Sequence, residues 1–290
     1  MTIKLLALDL DGTLLDSRGK LSDANLNAIR MAEDAGVLVT IATGRRFRDA
    51  RPIGLELGLN APMITHNGAL IKYADSLETV ADALHTTETC RQIIEVGRDF
   101  GGDALVSCDP DGIGVLFYDR VSADNLPLQS YLTWSTTFHG NEAETSVHHV
   151  HDLLDIVDHH SVIHISFSGT CDAMFDMQQF LDQQLGETVK VLSTIYPRLD
   201  FTLIDILPPD ASKGKGLSKL STMNHVCREE VMAVGDNFND LEMLEFAGVS
   251  VVMGNADPSL LDREEFYTTV SNDESGVAAA IENFILGEEN

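Results

Sequence analysis

Residues 5–13, Leu-Leu-Ala-Leu-Asp-Leu-Asp-Gly-Thr, place a run of apolar residues directly before two carboxylates, Asp9 and Asp11. An apolar run bounded by a turn residue, here Gly12, predicts a buried strand of a parallel sheet. The carboxyl ends of such strands are where open α/β sheets bind their ligands. An ordinary Asp-Gly turn would also explain the pattern. Because two acids in a buried position are costly unless a cation joins them, the remaining sequence has to distinguish a turn from a site.

Strands and helices alternate on both sides of a central insertion. An apolar strand at 37–41 follows the first helical segment, and a second helix is predicted at about 47–57. This alternation is typical of a Rossmann-like, doubly wound parallel sheet of the α/β class. The pattern changes near residue 84 and resumes after Pro208-Pro209. We therefore predict a core formed by residues 1–83 and 208–290 and an inserted α+β cap domain formed by residues 84–207.

The predicted cap mixes helices with hairpin-like strands. Residues 163–167 alternate like a half-buried strand, and residues 172–185 have a helical pattern. The stretch from 120 to 160 gives the weakest signal of the chain. The helical face is predicted to contain Phe175, Phe180, Leu181 and Leu185, and further aromatic core or interface packing is expected at Phe100, Phe117 and Trp134.

Histidines crowd one part of the cap, namely His148, His149, His151, His159, His160 and His164. Their spacing matches no familiar pattern of metal ligands. We interpret this stretch as a solvated polar segment rather than a metal site.

The composition limits the classes of partner. The 46 acidic residues against 19 basic ones give a formal net charge of −27 over 290 residues, so no basic field exists to attract nucleic acid or an anionic membrane. The widely spaced cysteines, Cys90, Cys108, Cys171 and Cys227, form no CxxC pair and indicate reduced thiols. The opening apolar run is too short for a signal peptide. These features predict a cytoplasmic protein that is a monomer or a homodimer.

Polar residues in four segments lie at predicted strand ends or helix starts: Asp9 with Asp11, Thr43 with Gly44, Lys213, and Asp236 to Asp240. In a doubly wound sheet these places face one crevice. Three acids meeting there require a divalent cation, and hard oxygen ligands without His or Cys indicate Mg²⁺ rather than zinc. A lysine, a hydroxyl and backbone amides would then accommodate a tetrahedral dianion, as phosphoryl transfer requires.

These motifs, in this order, resemble the haloacid dehalogenase superfamily, and the position of the insertion after Asn67-Gly68-Ala69 resembles its Cof-like branch of sugar phosphatases. The resemblance implies that Asp9 is the nucleophile that forms an aspartyl-phosphate, and that Asp11 is the general acid and then the base. It further implies that Mg²⁺ binds the Asp9 carboxylate, the Asp11 carbonyl and Asp236.

The same resemblance assigns the remaining site residues. The groups expected to hold the phosphoryl oxygens are the Leu10 amide, Thr43, Gly44, Lys213 and Asn239. Asp240 is expected to orient the lysine or a metal-bound water, and Arg45 and Asn67 are expected at the substrate rim. Taken singly, Thr43 could be a helix cap, Lys213 a solvated charge, Asp236 a turn residue and Arg45 a surface charge. Their joint occurrence favours the site.

The predicted function is a Mg²⁺-dependent phosphatase that acts on small phosphorylated metabolites, such as sugar phosphates or flavin-type phosphates, through an aspartyl-phosphate. A phosphohexomutase-type transferase would use the same nucleophile. A dehalogenase would need neither Asp11 nor a metal cluster. A non-catalytic binding protein could retain the fold, but a retired site has no need for several mutually repelling carboxylates.

Overall fold

The computed structural model describes residues 2–139 and 146–287. The chain divides into two compact units, one formed by Met1–Ala81 and Ser212–Asn290 and the other by Asp82–Ala211. Their assignment to catalysis and to substrate selection stays a prediction. No helix within the described residues combines the length and the apolar character that crossing a membrane requires.

The first unit contains most of the parallel structure. Its strands are β1 (Leu5–Leu8), β2 (Leu38–Ile41), β3 (Met63–Thr65), β4 (Leu70–Lys72), β5 (Thr79–Asp82, which ends at the unit boundary), β12 (Val231–Gly235), β13 (Val249–Val252) and β14 (Tyr267–Thr268). Its helices are α1 (Asp23–Asp34), α2 (Phe47–Leu57), α7 (Lys213–Met223), α8 (Leu241–Phe246), α9 (Pro258–Leu261) and α10 (Gly276–Ile281), followed by a π-helical turn at Glu282–Leu286.

Five parallel strands form the main sheet of this unit, in the order β14-β13-β12-β1-β2. All residues of β1 are fully buried, as expected for the central strand of a sheet with helices on both faces. The predicted α/β class and doubly wound core are confirmed. The turn at Asn67-Gly68 sends the chain back, so β3 pairs with β4 in an antiparallel sheet. A single bridge, Ala42 to Ile64, links β3 to the end of β2.

The second unit is an α+β structure. Its strands are β6 (Asp103–Cys108), β7 (Val115–Tyr118), β8 (Val147–His149), β9 (Val162–Gly169), β10 (Lys190–Tyr196) and β11 (Phe201–Leu207), and its helices are α3 (Thr87–Asp99), α4 (Leu126–His139), α5 (Leu153–Val157) and α6 (Cys171–Leu185). The sheet order is β10-β11-β9-β6-β7-β8, and only β7 and β8 pair in parallel. The inserted α+β architecture predicted from the sequence is confirmed.

Both faces of this sheet are covered. Val106 and Phe117 belong to the cluster that includes residues of α3, α5 and α6, whereas Leu105 and Leu116 pack with Leu128 of α4. Because consecutive strand residues point to opposite faces, α4 lies on the face away from the other helices. The expectation of a half-buried strand at 163–167 was therefore wrong, since β9 is buried on both faces.

The predicted apolar face of α6 was also partly wrong. Phe175 and Phe180 are 59% and 41% exposed, and the buried stripe consists of Met174, Met177 and Leu181. Met174 and Met177 are three residues apart and Leu181 is four further on, so they lie on one side of the helix. Among the other aromatic residues, Phe117 is buried, Phe100 packs against the core, and Trp134 is 41% exposed.

The histidine stretch is not uniformly solvated as expected. The rings of His148 and His160 both pack near the Phe117 ring, with centroids 5.6 and 5.0 Å from its centroid. His164 is buried in β9, and its Nε2 lies 2.8 Å from Oδ1 of Asp205. Aromatic contacts and one buried pair therefore account for several of these side chains.

Candidate active site

Side chains from three distant parts of the first unit meet at the end of β1. Lys213, the first residue of α7, places its Nζ 2.6 Å from Oδ1 of Asp9 and 2.5 Å from Oδ1 of Asp240. Asp236 directly follows β12, and its Oδ1 accepts a hydrogen bond of 2.8 Å from the Thr13 hydroxyl. The structure thus brings together the carboxyl ends of neighbouring parallel strands and a helix start, where this sheet type places its ligands.

Burial makes this cluster electrostatically unusual. Burial raises the pKa of Asp9 well above its usual range, and Asp240 and Asp236 raise it further, whereas Lys213 lowers it. Burial and the neighbouring Asp240 also raise the pKa of Asp236, to about 6, against the lowering effect of the Thr13 hydrogen bond. Burial lowers the pKa of Lys213, but the Asp240 and Asp9 carboxylates raise it by more, so the ammonium keeps its charge.

The charges of this cluster do not balance. Oxygens of Asp9, Asp236 and Asp240 lie within 4.8 Å of one another. When all three are ionised, the one lysine leaves an excess of two negative charges in a largely buried place. A divalent cation restores the balance, and carboxylate oxygens are the ligands that Mg²⁺ prefers. The donor set therefore fits the predicted metal.

Asp240 has the role of a scaffold in this cluster. Its Oδ2 accepts hydrogen bonds of 3.0 Å from the backbone N–H groups of Asp236 and Asn237, while its Oδ1 accepts from Lys213. Asp9 and Asp236 each keep a second oxygen beyond their bonds to Lys213 and Thr13. These two residues are thus better placed than Asp240 to bind a cation, which is the arrangement predicted from the sequence.

Gly12 leaves space beside the Asp236 carboxylate. Gly12 has a φ of +85°, and a Cβ built there would lie 2.4 Å from Oδ2 of Asp236. A side chain at position 12 would therefore displace Asp236, and an L-residue would also be strained in this backbone conformation. Leu10, between the two predicted catalytic acids, has a fully buried side chain, and its carbonyl accepts from the Leu15 N–H at 2.9 Å.

Three of the predicted phosphoryl-binding residues, Thr43, Gly44 and Asn239, lie around Asn67. Thr43 follows β2 and is 1% exposed, and its hydroxyl accepts from the Arg45 N–H at 3.1 Å. A Cβ built on Gly44 would lie 3.0 Å from Oδ1 of Asn67, and the same oxygen accepts from Nδ2 of Asn239 at 3.1 Å. Asn67 thus contacts Asn239 directly and lies beside Gly44.

Arg45 contacts the predicted acid. Its Nε and Nη2 donate to the two oxygens of Asp11 at 2.7 and 2.5 Å, and the Asp11 side chain is 58% exposed. Arg45 is therefore more than a surface charge of α2. The bidentate contact engages both oxygens of Asp11 and so orients its carboxylate.

Two residues of the site were not singled out from the sequence. Thr13, which is fully buried, donates to Asp236, and Nδ2 of Asn255 donates to the Gly12 carbonyl at 2.8 Å. The hydroxyl directly after Asp-Gly was a usable signal for Thr13. No local pattern marks Asn255, because only its long-range bond to Gly12 connects it with the site.

Comparison with known proteins identifies the family of this chain. The model of the haloacid dehalogenase-like hydrolases matches residues 6–281, so the chain belongs to this family, as predicted. The chain is 29% identical to the 5-amino-6-(5-phospho-D-ribitylamino)uracil phosphatase YwtE of Bacillus subtilis, over 99% of each sequence. It is 30% identical to the HMP-PP phosphatase of Yersinia pestis, over 89% of this chain and 86% of that protein.

A solved structure extends the likeness to three dimensions. The haloacid dehalogenase-like hydrolase from Bacteroides thetaiotaomicron has a TM-score of 0.80 and 26% identity, with 97% of this chain and 99% of that chain covered. The predicted enzyme class, a phosphoric monoester hydrolase of this family, is confirmed by the family match and by the phosphatases among its relatives.

Proposed function

We propose that this protein is a Mg²⁺-dependent phosphatase of small phosphorylated metabolites and that it acts through an aspartyl-phosphate on Asp9. The observation that carries the proposal is the buried cluster of Asp9, Asp236 and Asp240 around the single ammonium of Lys213. Such a cluster is costly as a structural element and is suited to binding a divalent cation beside a phosphoryl group.

In the first step, a carboxylate oxygen of Asp9 attacks phosphorus and the bond to the leaving oxygen breaks. Asp11 protonates that oxygen, so the product leaves as an alcohol. In the second step Asp11 accepts a proton from water, whose oxygen attacks phosphorus and breaks its bond to Asp9. The result is inorganic phosphate and a regenerated carboxylate. The exposed position of Asp11 suits this role, because an acid that serves both the alcohol and water has to reach both.

The remaining residues hold the reacting group. Thr43, Gly44, Lys213, Asn239 and the Leu10 amide bind the phosphoryl oxygens, and Asn67 and Arg45 border them. Asp9, Asp236 and the Asp11 carbonyl would hold Mg²⁺, which when bound would supply positive charge to neutralise the phosphoryl oxygens. Lys213 adds a fixed positive charge in a place without competing water, where it acts more strongly than it would in solution.

The substrate class follows from the relatives and from the charge of the chain. One relative is named for a phosphorylated ribitylamino-uracil and another for HMP-PP, so phosphorylated sugars and phosphorylated heterocycles are the first candidates. Nucleic acid and anionic membranes are not proposed as partners, because the chain carries a formal charge of −27. A cytoplasmic location agrees with the four free cysteines, of which Cys90 and Cys108 are buried.

Phosphate release from an aryl phosphate and from a panel of sugar and heterocycle phosphates tests this proposal. We expect Asp9→Asn to lower kcat by at least about a thousandfold, since the amide cannot form the acyl phosphate. Asp34→Asn, at an exposed aspartate at the end of α1, is the matched control and is expected to behave like wild type. Appreciable turnover by folded Asp9→Asn would remove Asp9 as the nucleophile.

The same assay tests the metal. EDTA should abolish phosphate release and added Mg²⁺ should restore it, and activity that persists in EDTA would contradict the metal assignment. With a hexose phosphate, release of free phosphate supports a phosphatase, whereas an isomeric phosphate without free phosphate would indicate a mutase.

A further inference from the structure

Residues 66–68, here termed the junction loop, contact three of the four segments that form the site. The Asn67 N–H donates to the Thr43 carbonyl at 3.0 Å, and the Asn67 side chain accepts from Asn239. A Cβ built on Gly68 would lie 2.0 Å from the carbonyl oxygen of Ser212, the residue that caps α7 before Lys213. A shift of this loop would therefore displace several of the predicted phosphoryl-binding residues at once.

All three residues of the junction loop have a left-handed backbone conformation. His66, Asn67 and Gly68 have φ angles of +51°, +50° and +96°. Only the glycine adopts such angles without steric cost. Left-handed residues that are not glycine persist when the surrounding structure holds them, and they cluster at functional sites. Contacts with the surrounding structure therefore have to hold the loop in this conformation.

The His66 side chain supplies one such contact. It is 3% exposed, and its Nε2 accepts a hydrogen bond of 3.1 Å from the N–H of Phe47, the first residue of α2. The residue before the helix, Arg46, makes no capping hydrogen bond with its side chain. Since the first N–H groups of a helix have no partner within it, the imidazole of His66 caps α2 from 19 residues further along the chain.

A second bond from His66 reaches the substrate rim. Its backbone N–H donates to the Arg45 carbonyl at 2.9 Å. Residues 66 and 67 therefore make three crossing hydrogen bonds with the segment 43–47, to the carbonyls of Thr43 and Arg45 and from the N–H of Phe47. Arg45, whose backbone is held in this way, is the residue that engages both oxygens of Asp11.

We propose that His66 is a positioning residue of the phosphoryl pocket. Its ring fastens the junction loop to the start of α2 and so fixes Thr43, Arg45 and Asn67 relative to one another. This role rests on the proposed function of these residues, but His66 itself does not touch the reacting group. The ring must offer a lone pair at Nε2, because it accepts there from a backbone N–H.

The test compares two substitutions that differ in the acceptor. His66→Leu removes it, whereas His66→Gln retains a side-chain oxygen. Because positioning errors far from the chemistry are costly, we expect His66→Leu to lower kcat/KM for an aryl phosphate about tenfold. Its dissociation constant for inorganic phosphate, measured by calorimetry, should rise about fivefold, since the same groups hold phosphate in the ground state. His66→Gln should restore both quantities to within about threefold of wild type.

Two further variants separate positioning from general damage. His225 is an exposed histidine of the same unit with a φ of +55°, so His225→Leu repeats the substitution and its backbone strain away from the site and should leave both quantities unchanged. If His66→Leu does not fold, His66→Asn replaces it, because asparagine tolerates the left-handed region but is shorter than histidine.

A double variant tests the route of action. In an Arg45→Ala background, His66→Leu should lower kcat/KM by less than in wild type, because one of the three side chains that it positions is already absent. Unchanged kcat/KM, or equal phosphate affinity in wild type and folded His66→Leu, would overturn the assignment. A wild-type protein that binds phosphate without turnover would instead contradict the proposed phosphatase and leave the His66 comparison intact.

Discussion

Asp9 in the first unit and Asp103 in the second are both buried aspartates, but their surroundings differ. Asp103 accepts from Arg120, from the N–H and hydroxyl of Ser122 and from Asn125, at 2.8 to 3.1 Å. Asp9 accepts from Lys213, and two other carboxylates lie within 4.8 Å. Asp103 is satisfied by hydrogen-bond donors, whereas Asp9 shares the Lys213 ammonium with a neighbouring carboxylate that repels it.

This difference separates a structural charge from a functional one. A buried carboxylate that is fully hydrogen-bonded stabilises one arrangement of the chain and needs nothing from outside. A buried cluster with excess negative charge is stabilised by the binding of a cation or, at lower pH, of a proton. By this criterion Asp103 connects β6 to the start of α4, and the cluster around Asp9 is the proposed binding site.

The largest combined effect on activity and stability is expected from removing the ammonium of Lys213 from the Asp9 cluster. Lys213→Met should lower kcat/KM by at least about a hundredfold, because a fixed charge on the phosphoryl oxygens is lost. It should also lower the free energy of unfolding by about 3–5 kcal/mol, since Asp9 and Asp240 are left buried and unpaired. Lys219→Met, at an exposed lysine of the same helix, is the control and should leave both values near wild type.

A double variant sharpens this prediction. Lys213→Met with Asp240→Asn should recover part of the lost stability, because one repelling charge is removed, but none of the activity. An unchanged unfolding midpoint in Lys213→Met would contradict the view that the lysine neutralises a buried cluster.

Most of the site could be predicted from the sequence, because its residues lie at the ends of elements that local pattern defines. The strand ending at Asp9 is continuously apolar, and Lys213 follows a capping serine, Ser212. Parallel topology then brings strand ends together without further information. His66 could not be predicted in this way, since its role depends on a hydrogen bond to Phe47 in a different element.

The second unit was harder to predict for physical reasons. In α6 both the methionines and the phenylalanines are apolar, so periodicity alone does not identify the stripe that faces the sheet. Strand β8 has three residues and pairs in parallel with β7 across a long connection, so no local turn signals it. The residues 140–145 lie outside the described part of the chain. The alternation in β9 predicted an exposed face, but α4 covers that side of the sheet.

A second prediction concerns pH and follows from Asp236. Its pKa is raised from 3.8 to about 6 in the folded protein, so between these values the folded state binds more protons than the unfolded state. Stability contributed by Asp236 is therefore present at low pH and is lost as the pH rises through about 6. The loss in metal-free protein amounts to roughly 3 kcal/mol.

Thermal unfolding in EDTA at pH 5 and pH 8 checks this sign. Wild type should lose more stability than Asp236→Asn over this interval, and Mg²⁺ at pH 8 should reverse the loss in wild type because it binds the ionised, folded form. An equal change in both proteins would remove Asp236 as the source of the pH dependence.

The smallest expected effect lies at Asp103, the structural member of the comparison. Asp103→Asn keeps the shape of the side chain but directs an amide N–H₂ toward donors, so we expect a loss of about 1–3 kcal/mol in the unfolding of the second unit. Trp134 is the only tryptophan of the chain and lies in α4 of this unit, so its fluorescence during denaturation with urea reports that loss. Asp111→Asn, at an exposed aspartate of the same unit, is the control. Phosphate affinity, which we assign to the first unit, should stay within about twofold of wild type, because the two carboxylates share no partner. A clear loss of phosphate affinity in folded Asp103→Asn would show that a satisfied carboxylate also serves the site, and it would remove charge balance as the criterion that distinguishes the two.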